Sequence, residues 1–294
     1  MRLDAHQHFW HYSPTGHGWM TDQMSVLKHD FLPQDLQPLL ASLGFDGCVA
    51  VQARQSLEET RWLLALAAEH PFIKAVVGWV DLRSPQLSEQ LQTFSTQRKF
   101  AGVRHVIHDE ADDDFMLAPE FRRGIGQLHA LNLTYDLLLY PRHLRAAAKL
   151  VDEFPGQLFV LDHLAKPNIA EEQFSPWRED LQQLAKFPNV YCKLSGLVTE
   201  AHWQQWQSSD FDRYLEIALG AFGWGRLMIG SDWPVCTLSG EYPAVMHLVL
   251  KFVKKLSPQA QAAILGENCA RFYRIPAEAA QPQFASQEGA VNRG

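Results

Sequence analysis

The chain has 294 residues, 47% hydrophobic and 20% charged, the balance of an ordinary soluble globular protein. Lys and Arg number 26 against 33 Asp and Glu, a net charge of −7, so no basic excess exists to neutralise a phosphate backbone and nucleic acid is excluded as a partner. No apolar run reaches the length of a membrane span, residues 1–6 lack the apolar core of a signal peptide, and the four scattered cysteines form no CxxC pair, which points to a cytoplasmic protein without a disulfide framework or zinc knuckle.

In chain order, short apolar segments alternate with helix-like ones. A strand over 3–8 leads. A second, 45–54, precedes a helix over 56–70, where Ser56 and Glu59 have the spacing of a capping box. Strands over 73–81 and 101–107 follow, then a helix over 119–131 and a strand over 133–140. The pattern continues with a helix over 141–154, a strand over 158–163, a helix over 171–187 and a strand over 190–197. A helix over 210–222, a strand over 227–232 and a helix over 242–256 follow. Ser257 and Pro258 then open a last helix that reaches Cys269. Repeated strand–helix units mean a parallel sheet, and eight of them predict a (β/α)₈ TIM barrel spanning 1–275 as one domain. A doubly wound sheet would want a glycine-rich turn after the first strand, and His8-Phe9-Trp10-His11 offers none. Residues 276–294 are polar, small and aperiodic, and are expected to be a disordered or extended tail.

Barrel enzymes place their chemistry at the C-terminal ends of the strands, and alternate residues of a strand share a face. The first strand gives Asp4, His6 and His8 on one face, opposite Leu3 and Ala5. The second ends in Gln52 and Arg54, opposite Val49, Val51 and Ala53. Arg104 is in phase with Gly102. The fifth strand supplies Asp136 and Tyr140, and the sixth ends with His163, in phase with Phe159 and Leu161, just before Lys166. The seventh offers Lys193 and Ser195, and the eighth ends with Asp232, in phase with Met228 and Gly230. Seven strands thus end in polar groups after an apolar run, and burying such groups costs several kcal/mol each unless they are paired or solvated.

Each feature has a plainer reading. His-x-His alone can line a barrel end, Asp232 can cap a turn, His105 can be a core histidine, and Lys193 can balance a buried carboxylate. Trp10, Trp19, Trp79 and Trp233 read mainly as packing, with those beside strand ends able to wall a pocket. His11, His17, His29 and His129 read as surface residues, and Asp81, His108 and the run 109–114 as solvated loop. The specificity lies in His6, His8, His163 and Asp232 taken together.

Six motifs in order, Leu3-Asp4-Ala5-His6-Gln7-His8-Phe9-Trp10, Gly102-Val103-Arg104-His105, Leu161-Asp162-His163-Leu164-Ala165-Lys166-Pro167, Lys193-Leu194-Ser195-Gly196-Leu197, Gly230-Ser231-Asp232-Trp233-Pro234 and Gly266-Glu267-Asn268-Cys269-Ala270, resemble the amidohydrolase-2 branch of the amidohydrolase superfamily, nearest its sugar-acid lactonases. The resemblance runs from residue 3 to about residue 275 and implies a distorted (β/α)₈ barrel. In that superfamily the metal site draws on the first-strand His-x-His, a carboxylated lysine of strand four, a histidine from each of strands five and six, and an aspartate of strand eight. Here strand four carries Arg104 and strand five no histidine, so a binuclear centre is not expected. His6, His8, His163 and Asp232 remain as ligands for one divalent ion, zinc by donor type. They are equally able to act without metal, and the lactonase resemblance favours an activity that does not strictly require it.

What the resemblance implies is hydrolysis of a sugar-acid lactone. Asp232 is the expected general base for water and the later proton donor to the ring oxygen, while His6, His8 and His163 polarise the carbonyl. Arg54, Gln52, Arg104, Tyr140, Lys166, Trp10 and Trp233 are the expected substrate contacts, with Asp136 suited to sugar hydroxyls. A dicarboxylate lactone would want more convergent arginines than Arg54 and Arg104, so a neutral polyol lactone is favoured. The alternatives are a metal-dependent non-oxidative decarboxylase of an aromatic or enoic acid, and a catalytically silent barrel; retention of the strand-end charges speaks against the second.

Overall fold

A computed structural model describes residues 1–276. Eight parallel strands run in one sheet in chain order: β1 (Leu3–Gln7), β2 (Gly47–Val51), β3 (Ile73–Gly78), β4 (Phe100–His105), β5 (Thr134–Leu137), β6 (Phe159–Leu161), β7 (Val190–Leu194) and β8 (Leu227–Ile229). The ring closes between its first and last members. Gln7 bridges Trp233 in parallel, the His8 N–H donates to the Trp233 carbonyl at 2.7 Å, and the Asp232 N–H donates to the His6 carbonyl at 2.8 Å. Outside lie α1 (Pro33–Ser42), α2 (Leu57–Glu69), α3 (Leu87–Ser95), α4 (Pro119–Leu128), α5 (Leu144–Glu153), α6 (Trp177–Leu184), α7 (Ser209–Phe222) and α8 (Tyr242–Val253), followed by the short α9 (Pro258–Ala262) and α10 (Asn268–Phe272). This is the (β/α)₈ barrel that the alternation predicts. The tail expected from residue 276 onward lies, after its first residue, outside the described residues.

Alternation along the strands sorts two apolar layers. Leu3, Ala5, Val49, Val51, Ala75, Val77, Val160 and Met228 fill the barrel, where Cys269, Phe272 and Tyr273 of the α10 region join them. Cys48, Ala50, Val76, Val103, Leu161 and Ile229 face the helices. The barrel floor is therefore plugged by the end of the described chain. Asn268 secures that plug, its amide donating to the carbonyls of Trp224 and Leu227 at 2.7 Å each.

The elements depart from the sequence expectation at identifiable places. The strands are shorter than their apolar runs, because the runs continue into the loops that carry polar groups. Helices α1 and α3 were not among the expected elements: α1 contains Pro38, and α3 keeps Leu87, Leu91 and Phe94 on one face of an otherwise polar stretch. The single helix expected from Ser257 to Cys269 is broken by a π turn over Ala263–Glu267. There the backbone of Gly266 packs on the N-terminal residues so closely that a Cβ would lie 2.1 Å from the Met1 carbonyl oxygen.

The capping box at the start of α2 is half formed. The Ser56 hydroxyl accepts from the N–H groups of Glu58 and Glu59, but the Glu59 carboxylate turns back to accept from the Arg54 N–H at 2.6 Å. Burial pushes the Glu59 carboxyl up to about 7 despite that bond. A carboxyl raised in the folded state binds its proton more tightly there than in the unfolded chain, so stability falls as pH rises from about 4.5 through 7. Glu59→Gln is therefore expected to raise the melting temperature at pH 8.5 relative to wild type, by an amount corresponding to roughly 1–3 kcal/mol, and to have little effect at pH 4.5. Thermal melts of both proteins at the two pH values check this; an equal shift at both removes the Glu59 proton from the account.

Candidate active site

The C-terminal mouth of the barrel holds a cavity of about 400 Å³. His8, His163, Asp232, Arg104, Tyr140, Lys166 and Trp10 line it, together with His108, Asp109, Thr199, Glu200 and Trp203. At its base the Asp232 Oδ1 lies 3.3 Å from His8 Nε2, and 3.7 Å from both His6 Nε2 and His163 Nε2. Four side chains separated by more than 220 residues of sequence thus meet at one point.

Two local departures from strand geometry bring them there. In β1 the register shifts between Asp4 and Gln7. Leu3 and Ala5 point into the barrel, yet so do His6 and His8, so the simple alternation that grouped Asp4 with the histidines fails. Asp4 instead faces the outer layer, accepting from the Ser231 N–H at 2.9 Å and from the Tyr242 hydroxyl of α8 at 3.3 Å. In β6 the expected phase is also reversed: Phe159 and Leu161 face the helices and Asp162 faces the barrel. His163 reaches the mouth because residues 163 to 166 all adopt left-handed backbone, with φ between 52° and 58°. Such a run is strained in non-glycine residues and is held by its surroundings. Gly196 provides the room: at φ 59°, a Cβ there would stand 2.4 Å from His163 Nδ1.

Hydrogen bonds behind the rings orient them. His8 Nδ1 meets the Val51 carbonyl at 2.8 Å, and a carbonyl only accepts, so Nδ1 carries a proton. His6 is approached by Arg104 at Nε2 (3.3 Å) and by Lys193 at Nδ1 (3.2 Å), and its Nδ1 lies 3.3 Å from Asp162 Oδ1. His163 Nδ1 meets the Ser195 hydroxyl at 2.9 Å. Burial holds His6 and His163 well below the ordinary imidazole value, so both rings are neutral. Burial works to raise the Asp232 carboxyl, but His163, His8 and Lys166 outweigh it and keep it below the usual carboxylate value.

Beneath these rings lies a fully buried charge network. The Lys193 ammonium donates to Asp136 Oδ2 at 2.5 Å, lies 3.0 Å from Asp162 Oδ1 and sits 3.2 Å from His6 Nδ1. The Tyr273 hydroxyl donates to the same Asp136 oxygen at 2.7 Å, and Arg104 donates to Asp162 Oδ2 at 3.1 Å and to the Gln52 carbonyl at 2.5 Å. Burial pushes Asp162 up, but Lys193, His6 and Arg104 prevail and hold it well below the usual range.

The structure does not bring every expected substrate contact to the cavity. Gln52 and Arg54 share the face opposite Val49 and Val51, which point into the barrel. Gln52 is spent on the Arg104 carbonyl, and the Arg54 guanidinium lies 3.8 Å from Glu59. Trp233 packs between Phe9 and Phe31 rather than on the cavity wall. Asp136 is locked under Lys193 and is closed to a sugar hydroxyl. Conversely, His108 is no solvated loop residue: it stacks on Tyr140 at 4.8 Å in the cavity wall, and burial followed by Lys166 and Arg104 pushes it down to about 3. His17 is buried between Trp10 and Tyr12, not on the surface. His105 is anchored by Trp79 at 3.3 Å and Glu110 at 2.7 Å, so it steadies the loop that carries His108. Thr199, Glu200 and Trp203 had no strand-end signal in the sequence, since a long loop delivers them.

The donor set fits one divalent cation. His6 Nε2 and His8 Nε2 lie 3.2 Å apart, and two nitrogens bound to a tetrahedral zinc are about 3.3 Å apart. Asp162 behind His6 and the Val51 carbonyl behind His8 are the outer partners that metal-binding histidines usually have.

A barrel whose mouth gathers first-strand His-x-His, a sixth-strand histidine and an eighth-strand aspartate defines the amidohydrolase class. The amidohydrolase family model matches residues 3–275, and the chain belongs to that family. It is 41% identical over 287 residues to an L-fucono-1,5-lactonase of Burkholderia multivorans, covering 94% of this chain and 97% of that protein. It is 39% identical to an L-fucono-1,5-lactonase of Burkholderia ambifaria, covering 93% and 96%. A crystal structure of an amidohydrolase from Burkholderia multivorans with bound zinc superposes with a TM-score of 0.91 at 42% identity, covering 94% of this chain and all of that one.

Gly196→Ala tests the seating of His163. The added methyl is expected to displace the ring, lowering kcat/KM by about 10²-fold or more and costing about 1–3 kcal/mol of stability. Steady-state kinetics and thermal melts check both; unchanged kinetics would show that the ring's position is not critical.

Proposed function

We propose that this chain hydrolyses a sugar-acid 1,5-lactone, with L-fucono-1,5-lactone as first candidate, using Asp232 as the base that activates water. The observation that carries the mechanism is the convergence of three imidazoles on the Asp232 carboxylate at the floor of the cavity. Two lactonase relatives at 41% and 39% identity over nearly the whole chain support the substrate class.

Asp232 is ionised at neutral pH and accepts a proton as water adds to the lactone carbonyl. The new carbon–oxygen bond forms, the carbonyl electrons move to its oxygen, and their return breaks the bond to the ring oxygen. The proton held on Asp232 passes to that ring oxygen, giving the open-chain hydroxy acid, which ionises in water. The negative charge on the oxyanion is met by the cations that line the cavity, Arg104 and Lys166, the latter held by Glu200 at 2.7 Å. A divalent ion, zinc by its donors, would be held by His6, His8, His163 and Asp232, and when bound it supplies Lewis-acid polarisation of the carbonyl.

Asp232→Asn is expected to lower kcat by about 10²–10⁴-fold with the fold intact. A pH-indicator assay on L-fucono-1,5-lactone and a thermal melt measure this; near-wild-type turnover removes Asp232 from the mechanism. Because the chain lines the cavity with its own cations, removing metal with a chelator is expected to slow hydrolysis by no more than about 10²–10³-fold and to leave a measurable rate. Complete loss restored by zinc makes the ion obligatory.

A further inference from the structure

Each nitrogen of the His6 ring is faced by a cation. Arg104 Nη1 stands 3.3 Å from Nε2, and Lys193 Nζ stands 3.2 Å from Nδ1. Guanidinium and ammonium groups only donate hydrogen bonds. Nε2 is also the His6 atom that lies 3.2 Å from His8 Nε2 and 3.7 Å from Asp232 Oδ1, so it is the nitrogen that a metal ion shared with those two residues would bond.

Arg104 is not free to step aside. Its side chain is buried at the end of β4, with Nη2 donating to the Gln52 carbonyl at 2.5 Å and Nη1 donating to Asp162 Oδ2 at 3.1 Å. The Gln52 amide returns a bond to the Arg104 carbonyl at 3.2 Å. Withdrawing the guanidinium would strip Asp162 and Gln52 of a donor in a buried place, and removing one partner of a buried ion pair is costly. The charge beneath the rings is also matched already, Lys193 and Arg104 against Asp136 and Asp162, which leaves Asp232 to answer a divalent ion. Like charges repel strongly where water is excluded.

We infer that Arg104 sets the metal affinity of this site: the guanidinium competes with a divalent cation for His6 Nε2 and keeps the ion weakly held. Arg104 acts here on the ligand, as a positioning residue, and is no ligand itself. The inference takes from the reading above only the donor set, not the lactone, so either can fail without the other. A purely structural Arg104, present only to satisfy Asp162, makes the opposite prediction, since its loss would loosen the site and lower the affinity or leave it unchanged.

The test is the zinc affinity of the full chain, stripped with a chelator and titrated with zinc against a chromophoric competitor in the absence of substrate. Wild type is expected to bind with a Kd weaker than about 10⁻⁸ M, at or beyond the weak end of dedicated zinc sites. Arg104→Gln removes the charge but keeps a donor for Asp162, and is expected to bind zinc about 10–100-fold more tightly, the size of effect that groups behind metal ligands have. Arg104→Lys keeps the charge and is expected to stay nearer to wild type than to Arg104→Gln. Adding His8→Gln to Arg104→Gln is expected to abolish the gain, which assigns the zinc to the paired histidines. A gain below about tenfold in Arg104→Gln, an equal gain in Arg104→Lys, or a gain that survives His8→Gln overturns the inference. A wild-type Kd tighter than about 10⁻⁸ M overturns it as well, even if Arg104→Gln does not fold.

Discussion

The closure of the sheet between its first and last strands is the constraint on which the site depends. The backbone bonds joining His6 to Asp232 and His8 to Trp233 are ordinary in strength, yet they decide which side chains can meet. They bring the Asp232 carboxylate, made near the end of the barrel, beside two rings made at its start. Asp4 reinforces the same seam from outside, accepting from the Ser231 N–H and the Tyr242 hydroxyl. Its carboxyl is pushed up to about 6 by burial, so it is an expensive group to place there, and its contacts explain why it is tolerated.

Below the seam, charge is arranged so that no buried ion stands alone. Lys193 lies between Asp136 and Asp162, and Arg104 shares Asp162 while holding the Gln52 carbonyl. Replacing such a network with apolar groups would often stabilise a fold, whereas removing one partner is costly. Here the network does something an apolar core cannot. It sets two cations and a carboxylate around His6, which fixes the position of a ring that burial keeps neutral. Tyr273 extends the network to the floor plug, so the base of the site and the end of the described chain share one hydrogen-bond system.

The barrel was legible in the sequence because its cause is repetitive: apolar runs of strand length, separated by helical stretches, admit few architectures. The four central residues were legible because their chemistry is unusual at strand ends. Their routes to the site were not. Alternation is a rule for regular strands, and the sequence carries no mark for the register shift in β1 or for the left-handed turn through His163. That is why Asp4 was grouped with the histidines, and why His163 was given the phase of residues that face the helices. Gln52 and Arg54 misled for a related reason: polarity was taken as a sign of facing inward, when the inward face of β2 is Val49 and Val51. His108, Glu200 and Trp203 sit in loops, where no period relates a residue's number to its direction.

The seam also has a temporal meaning. A chain made from its N-terminus exposes β1 first, but the partner that satisfies its free edge is β8, more than 200 residues later. Until then the growing sheet carries an unpaired border and an apolar interior without its floor, the condition in which nascent proteins need shielding on the ribosome. The candidate site therefore cannot assemble before β8 and the turn carrying Asp232 have been made, and a product that stops short of them lacks it.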